Sequence, residues 1–97
     1  MIITVTLNPA VDKTLFVPGF SVDAVNRVDR IILDPGGKGI NVSKSAQALG
    51  AKTVCLGILG GSTGAFIRSA LDRMALPHDM TESACATRTN TKIVDLL

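Results

Sequence analysis

Continuous apolar runs along the chain predict the strands of a buried sheet. Residues 2–7 and 52–59 are apolar and rich in β-branched side chains, as is typical of buried strands. Shorter runs predict further strands over 78–80 and 89–97. Asn8-Pro9 marks the end of the first strand.

Between these strands, apolar residues recur at helical spacing and predict two helices. One covers 40–49 and stops at Gly50, and the other covers 64–74 and stops before Pro77. Buried strands that alternate with helices indicate an α/β fold with a parallel sheet.

Two amphipathic stretches, 14–17 and 25–33, lie outside this alternation. The second begins with strict alternation of polar and apolar residues, which fits a sheet with one solvated face. We therefore expect residues 14–33 to form a separate β flap, inserted after the first core strand.

Composition limits the possible functions. The 97 residues suffice for one domain with a modest core, yet 46% of them are apolar. This excess indicates either a truncated or obligately associated chain, or an ordinary small domain rich in Ala and Val. Three aromatic residues and a net charge of +2 argue against a nucleic-acid binder.

Targeting and metal-binding signals are sparse. The N-terminus lacks the basic region of a secretion signal, and no apolar run approaches the ~20 residues that span a bilayer. We therefore expect a cytoplasmic protein without membrane contact. Cys55 and Cys85 form neither a disulfide framework nor a metal cluster, and His78 stands alone. No metal site is predicted.

The run Pro35-Gly36-Gly37-Lys38-Gly39-Ile40-Asn41 carries the strongest chemical signal. Glycines before a helix bring backbone N–H groups close to a ligand, and the lysine and the helix N-terminus favour an anion. Asn41 can both donate and accept, which suits sugar hydroxyls. The run fits neither the Walker A pattern nor Gly-x-Gly-x-x-Gly. The alternative is a flexible connection from strand to helix.

Asp12 follows the first strand, at the edge where open α/β sheets bind their ligands. A carboxylate there can accept hydrogen bonds from two neighbouring sugar hydroxyls. The alternative is an aspartate that stabilises a turn. Taken with the glycine loop, Asp12 is interpreted as a ligand-binding residue.

A second glycine-rich turn, residues 57–64, also joins a strand to a helix. Its spacing misses the dinucleotide fingerprint, so we interpret it as a tight turn that lets strand and helix approach closely. A dinucleotide-binding enzyme is the weaker alternative.

Two arginines, Arg27 and Arg88, lie on or beside the amphipathic strands. Their guanidinium groups suit phosphate, and the alternative is that each is a solvated surface charge.

Five motifs, in this order along the chain, resemble the PfkB family of sugar kinases, the ribokinase-like group. The most similar branch is that of the 1-phosphofructokinases and tagatose-6-phosphate kinases. The motifs are Thr6-Leu7-Asn8-Pro9-Ala10-Val11-Asp12, Val25-Asn26-Arg27, Gly36-Gly37-Lys38-Gly39-Ile40-Asn41-Val42-Ser43, Leu59-Gly60-Gly61-x-x-Gly64 and Thr87-Arg88-Thr89-Asn90.

The resemblance implies a Rossmann-like, ribokinase-like α/β core over residues 1–97, with a small β lid. Strands at about 14–33 and 89–97 would belong to this lid, which often serves dimerisation. The implied reaction transfers the γ-phosphoryl group of ATP, with Mg²⁺, to a phosphorylated ketohexose. Fructose 1-phosphate is favoured as the acceptor, with tagatose 6-phosphate as the alternative.

The resemblance also assigns substrate-binding roles to individual residues. Some would hold sugar hydroxyls, and others would lie near the substrate phosphate, with the lid arginine as the weaker candidate. The hydroxyl set is Asp12, Gly37, Lys38 and Asn41, and the phosphate set is Lys38, Arg88 and Arg27.

Family members carry a later Gly-x-Gly-Asp motif whose aspartate is the catalytic base, and their nucleotide pocket lies in the same C-terminal half. The 97 residues contain no such motif, so no catalytic residue is assigned. We expect the isolated chain to hold the sugar-phosphate-binding half and to be inactive. The alternative is a non-catalytic fragment that binds sugar phosphates or dimerises through the lid strands.

Overall fold

The computed structural model describes residues 1–95, which form two three-stranded sheets and two helices. The strands are β1 (Ile2–Thr6), β2 (Ala10–Phe16), β3 (Arg30–Gly36), β4 (Thr53–Leu59), β5 (His78–Glu82) and β6 (Arg88–Val94), and the helices are α1 (Lys38–Ala48) and α2 (Gly61–Arg73).

The central sheet has the strand order β1-β4-β5, and all its strands are parallel. Parallel neighbours need long crossover connections, and α2 supplies the one between β4 and β5. α1 packs against β1 and β4. The predicted α/β fold with a parallel sheet is confirmed. α2 begins at Gly61, three residues before the predicted start.

The hydrophobic core lies on the side of the central sheet that the helices cover. Its members are Val11, Ile40, Cys55, Leu59, Ile67, Leu71, Leu76 and Met80. On β1 only Thr4 and Thr6 are buried, whereas Ile3 and Val5 are 62% and 59% exposed. Within the described residues, β1 is therefore buried on one face and exposed on the other, so the prediction of a buried strand holds for one face.

A chain of buried hydroxyl groups joins α1 to the central sheet. The Ser43 Oγ lies 2.6 Å from the Thr4 Oγ1 and 2.9 Å from the Thr53 Oγ1. Each of these hydroxyls has a partner, so their burial carries little penalty. This chain fixes α1 across β1 and β4.

The second sheet has the strand order β3-β2-β6, with β2 antiparallel to β3 and parallel to β6. β2 begins at Ala10, earlier than the predicted strand 14–17. The predicted strand 89–97 corresponds to β6, and its last two residues lie outside the described part of the chain.

The prediction of a strand over 25–33 is wrong for residues 25–29, because β3 begins only at Arg30. The Asn26 side chain explains the difference. Its Oδ1 accepts from the Ser21 N–H, and its Nδ2 donates to the carbonyl oxygens of Ser21 and Ala24. These local bonds close a loop and override the alternating pattern.

Neither helix found within residues 1–95 is long and apolar enough to cross a bilayer.

Candidate functional site

Polar side chains line up across one face of the second sheet. Asp12 on β2 lies opposite Asp34 on β3 and Asn90 on β6. Two residues further along the strands, the same face carries Gly36 on β3 and Arg88 on β6. Residues that oppose each other in a sheet share a face, and this alternates along each strand. We call this surface the polar face of the second sheet.

Asp12 is half-buried, and it lies inside a strand rather than in the connection after β1, where the sequence placed it. β2 starts directly after Pro9 and pairs on both sides, so the carboxylate is held on a sheet. Its Oδ1 accepts a long, weak hydrogen bond of 3.4 Å from the Asn90 Nδ2. Most of its acceptor capacity therefore remains available to a ligand.

The glycines after β3 make room for this carboxylate and for the end of β1. A Cβ atom added at Gly36 would lie 2.1 Å from the Asp12 Oδ2. Gly37 has a φ of 120°, and a Cβ there would lie 2.7 Å from the Thr6 Cγ2 and 3.2 Å from the Pro9 Cα. Gly37 therefore requires the absence of a side chain, whereas a side chain at Gly36 would displace the Asp12 carboxylate.

The N-terminus of α1 is electropositive. Gly37 caps the helix without a side-chain hydrogen bond, and the first turn contains Lys38 and no acidic residue. The first N–H groups of a helix lack intrahelical partners, and a cation there opposes the helix dipole. The exposed Lys38 and Asn41 side chains have no hydrogen-bond or ion-pair partner within residues 1–95. This arrangement suits a bound anion with hydroxyl groups.

Arg88, on the polar face, donates hydrogen bonds to two neighbouring residues. Its Nη1 donates to the Asn90 Oδ1 at 2.8 Å, and its Nη2 donates to the Asn8 carbonyl oxygen at 3.1 Å. The guanidinium group thereby spans the end of β1 and the start of β6. Its remaining N–H groups can donate to a phosphate.

The second glycine turn helps to place Arg88. The Gly60 N–H donates to the Thr87 Oγ1 at 3.0 Å, the Thr63 Oγ1 donates to the Thr87 carbonyl at 2.6 Å, and the Thr87 N–H donates to the Gly60 carbonyl at 2.9 Å. Gly64 lies close to Leu59, where a Cβ would be 3.1 Å from the backbone. The turn thus brings helix and strand together and anchors the residue before Arg88.

Arg27 is not brought to this group by any contact between described residues. It is exposed in the loop between β2 and β3, three residues before β3 begins. The sequence prediction that it belongs to or flanks a strand assumed an alternation that the Asn26 loop interrupts. Asp12, Gly37 and Arg88, by contrast, lie on or beside the polar face.

Sequence reasoning assigned no role to Asp34 or Asn90. It included Gly36 in the run expected to bind an anion, but the closeness of Gly36 to Asp12 depends on strand pairing. Asn90 offered one usable signal, since it stands two residues after Arg88 in a strand and so shares its face.

The site combines hydroxyl acceptors with phosphate donors. A carboxylate accepts from hydroxyl groups, while a guanidinium, an ammonium and a helix N-terminus favour an anion. Among the residues that the structure describes, no three His, Cys, Asp or Glu side chains lie close enough together to hold a metal ion. The arrangement can therefore bind and orient a phosphorylated polyol.

Comparison with known proteins agrees with this chemistry. The family model for "pfkB family carbohydrate kinase" matches residues 5–96. A 1-phosphofructokinase from Rhodobacter capsulatus is 44% identical over 99% of this chain, and one from Haloferax volcanii is 43% identical over 97%. The match covers 30% and 31% of those relatives, so the chain spans less than a third of their length.

A solved structure shares the fold. Phosphofructokinase-2 from Escherichia coli, in complex with fructose-6-phosphate, matches 98% of this chain with a TM-score of 0.93 and 29% sequence identity. The match covers 31% of that protein. The predicted ribokinase-like fold is thereby confirmed.

Proposed function

Because the chain belongs to the pfkB family of carbohydrate kinases, we propose that it forms the sugar-phosphate-binding part of a kinase for a phosphorylated ketohexose. The favoured reaction converts fructose 1-phosphate to fructose 1,6-bisphosphate. The names of the most similar relatives support this acceptor. Tagatose 6-phosphate is the alternative acceptor.

The observation that carries the proposal is the joint placement of Asp12 and Arg88 on the polar face, beside the glycine loop. Asp12, Gly37 and Asn41 would hold sugar hydroxyls. Arg88 would bind the phosphate, and Lys38 would lie within reach of both. Arg27 remains a weaker candidate for the phosphate because no described contact ties it to the site.

Kinases of this family use ATP and a divalent metal. ATP supplies the phosphoryl group, and Mg²⁺ neutralises charge on it. No metal cluster occurs within residues 1–95, and the glycine loop lacks the Walker A pattern. The family resemblance implies a later Gly-x-Gly-Asp motif that carries the catalytic base, with the nucleotide pocket in the same half, and the 97 residues contain no such motif. We assign the nucleotide, the metal and the catalytic base to that half of the kinase. This chain's residues orient the acceptor and hold its charge.

Two further properties follow from the proposal. ATP and phosphorylated sugars are kept in the cytoplasm, so the protein is expected there, and cell fractionation tests this.

Dimerisation through the second sheet is supported by its other face, where Ile31, Leu15 and Ile93 form an apolar row across the three strands. A solved form of the Escherichia coli phosphofructokinase-2 is tetrameric. A fragment that only binds or dimerises is the alternative.

A hybrid enzyme tests the proposed reaction. The 97 residues replace the matching part of the Rhodobacter capsulatus 1-phosphofructokinase, and ADP formation is measured with fructose 1-phosphate, ATP and Mg²⁺. We expect an active hybrid, an inactive Asp12→Asn hybrid, and no turnover by the 97-residue chain alone. A hybrid that folds and binds ATP but does not phosphorylate fructose 1-phosphate would contradict the proposal, and so would turnover by the isolated chain.

A further inference from the structure

Asn90 forms hydrogen bonds to two groups of the site, the Arg88 guanidinium and the Asp12 carboxylate, which need opposite kinds of partner. Arg88 offers only donors, and an ionised Asp12 offers only acceptors. Asn90 lies between them, accepting from the Arg88 Nη1 at 2.8 Å and facing the Asp12 Oδ1 with its Nδ2 at 3.4 Å. An uncharged amide is the side chain that can serve both at once.

The orientation of the amide is fixed by this arrangement. Because the guanidinium cannot accept a hydrogen bond, the oxygen of Asn90 must face Arg88, and its NH₂ group must then face Asp12. The Asn8 carbonyl holds the other side of the guanidinium at 3.1 Å. The link therefore runs from the end of β1, through Arg88 and Asn90, to the carboxylate on β2.

Strand pairing gives this link a defined length. Asn90 pairs with Asp12 across β2 and β6, and Arg88 is two residues earlier on the same face. Asp34 pairs with Asp12 from the other side, and two carboxylates directly opposite each other repel. On the other side, the Asn90 Nδ2 faces the Asp12 Oδ1 at 3.4 Å and presents a donor in place of a second carboxylate.

We propose that Asn90 is a positioning residue that sets the distance between the hydroxyl-binding carboxylate of Asp12 and the phosphate-binding guanidinium of Arg88. This role rests on the proposed function, and it adds a specificity determinant to it. The ligand selected is one whose phosphate and vicinal hydroxyls match that distance. Inorganic phosphate carries no sugar hydroxyls, so its binding does not depend on that distance.

Two uncharged variants of the 97-residue chain test this role by titration calorimetry. Asn90→Leu removes both the acceptor for Arg88 and the donor that faces Asp12, and it adds no charge. Thr91→Leu places the same side chain at the next residue, on the opposite face of β6. We expect Asn90→Leu to bind fructose 1-phosphate about tenfold more weakly than Thr91→Leu, with equal affinities for inorganic phosphate. Equal affinities for fructose 1-phosphate would overturn the proposal.

A ligand-free measurement separates this inference from the proposed function. In ¹⁵N spectra of the free chain, the Arg88 Nη signals are expected to be resolved in the wild type and in Thr91→Ala, and averaged by rotation in Asn90→Ala. Failure of the wild type to bind fructose 1-phosphate would count against the proposed function. The Arg88 signals would still test whether Asn90 holds the guanidinium group in place. Identical Arg88 signals in all three proteins would overturn the proposed role of Asn90.

Discussion

At the residue scale, the site depends on a glycine, whose lack of a side chain makes room for a carboxylate. Gly36 leaves space for the Asp12 carboxylate, whose Oδ2 would lie 2.1 Å from a Cβ at that position. The sequence showed that the loop is rich in glycine and favours an anion, but it did not show why Gly36 is needed. That reason depends on the pairing of β2 with β3, and such pairing is not visible in local periodicity.

Substitution of Gly36 by Ala is expected to weaken fructose 1-phosphate binding about tenfold while changing stability little. The new methyl group displaces the end of a flexible carboxylate, which can rotate away at small cost to folding. Titration calorimetry gives the affinity, and urea unfolding gives the free energy of unfolding.

Gly50→Ala is the reciprocal control. Gly50 has a φ of 85° with no atom within 4 Å of an added Cβ, so this variant should lose about 1 kcal/mol of stability and keep its affinity. If Gly36→Ala binds fructose 1-phosphate as tightly as Gly50→Ala does, the position of the Asp12 carboxylate beside Gly36 does not matter for sugar binding.

At the element scale, the second sheet has two different faces. The polar face carries Asp12, Asn90 and Arg88, while the opposite face carries the apolar row of Ile31, Leu15 and Ile93. Ile31 and Ile93 are about half exposed within the described chain. The amphipathic pattern predicted a sheet with one wet face. It missed the early start of β2 and the loop closed by Asn26, because side-chain bonds to the backbone override alternation.

The apolar row predicts self-association. In light scattering at high concentration, the chain is expected to have twice the mass of a single copy, because pairing two such rows removes apolar surface from water. Ile31→Lys should give the monomer mass, since it places a charge in the row. Ile32→Lys is the matched control, because the neighbouring isoleucine points to the polar face. A wild-type chain that stays monomeric would refute this association.

At the scale of the whole molecule, Asp12, the glycine loop and Arg88 are far apart in the sequence but lie close together on one surface. Three connections bring them together: the pairing of β2 with β3, the pairing of β2 with β6, and the turn that anchors Thr87. The order of elements and the family motifs were predictable from sequence. The resemblance also implied that Asp12 and Arg88 serve one substrate, but it did not give the place of Asn90 between them, which is set by contacts across about 78 residues of chain.

The central claim is that the glycine–lysine loop binds the phosphorylated sugar and not the nucleotide. The most direct test is a ¹⁵N NMR titration of the 97-residue chain with fructose 1-phosphate and, separately, with ATP. We expect fructose 1-phosphate to shift the amide signals of Gly36 to Asn41 and the side-chain signals of Arg88 and Asn90, while ATP at the same concentration leaves them in place. Shifts of the loop signals by ATP, with none by fructose 1-phosphate, would contradict this account.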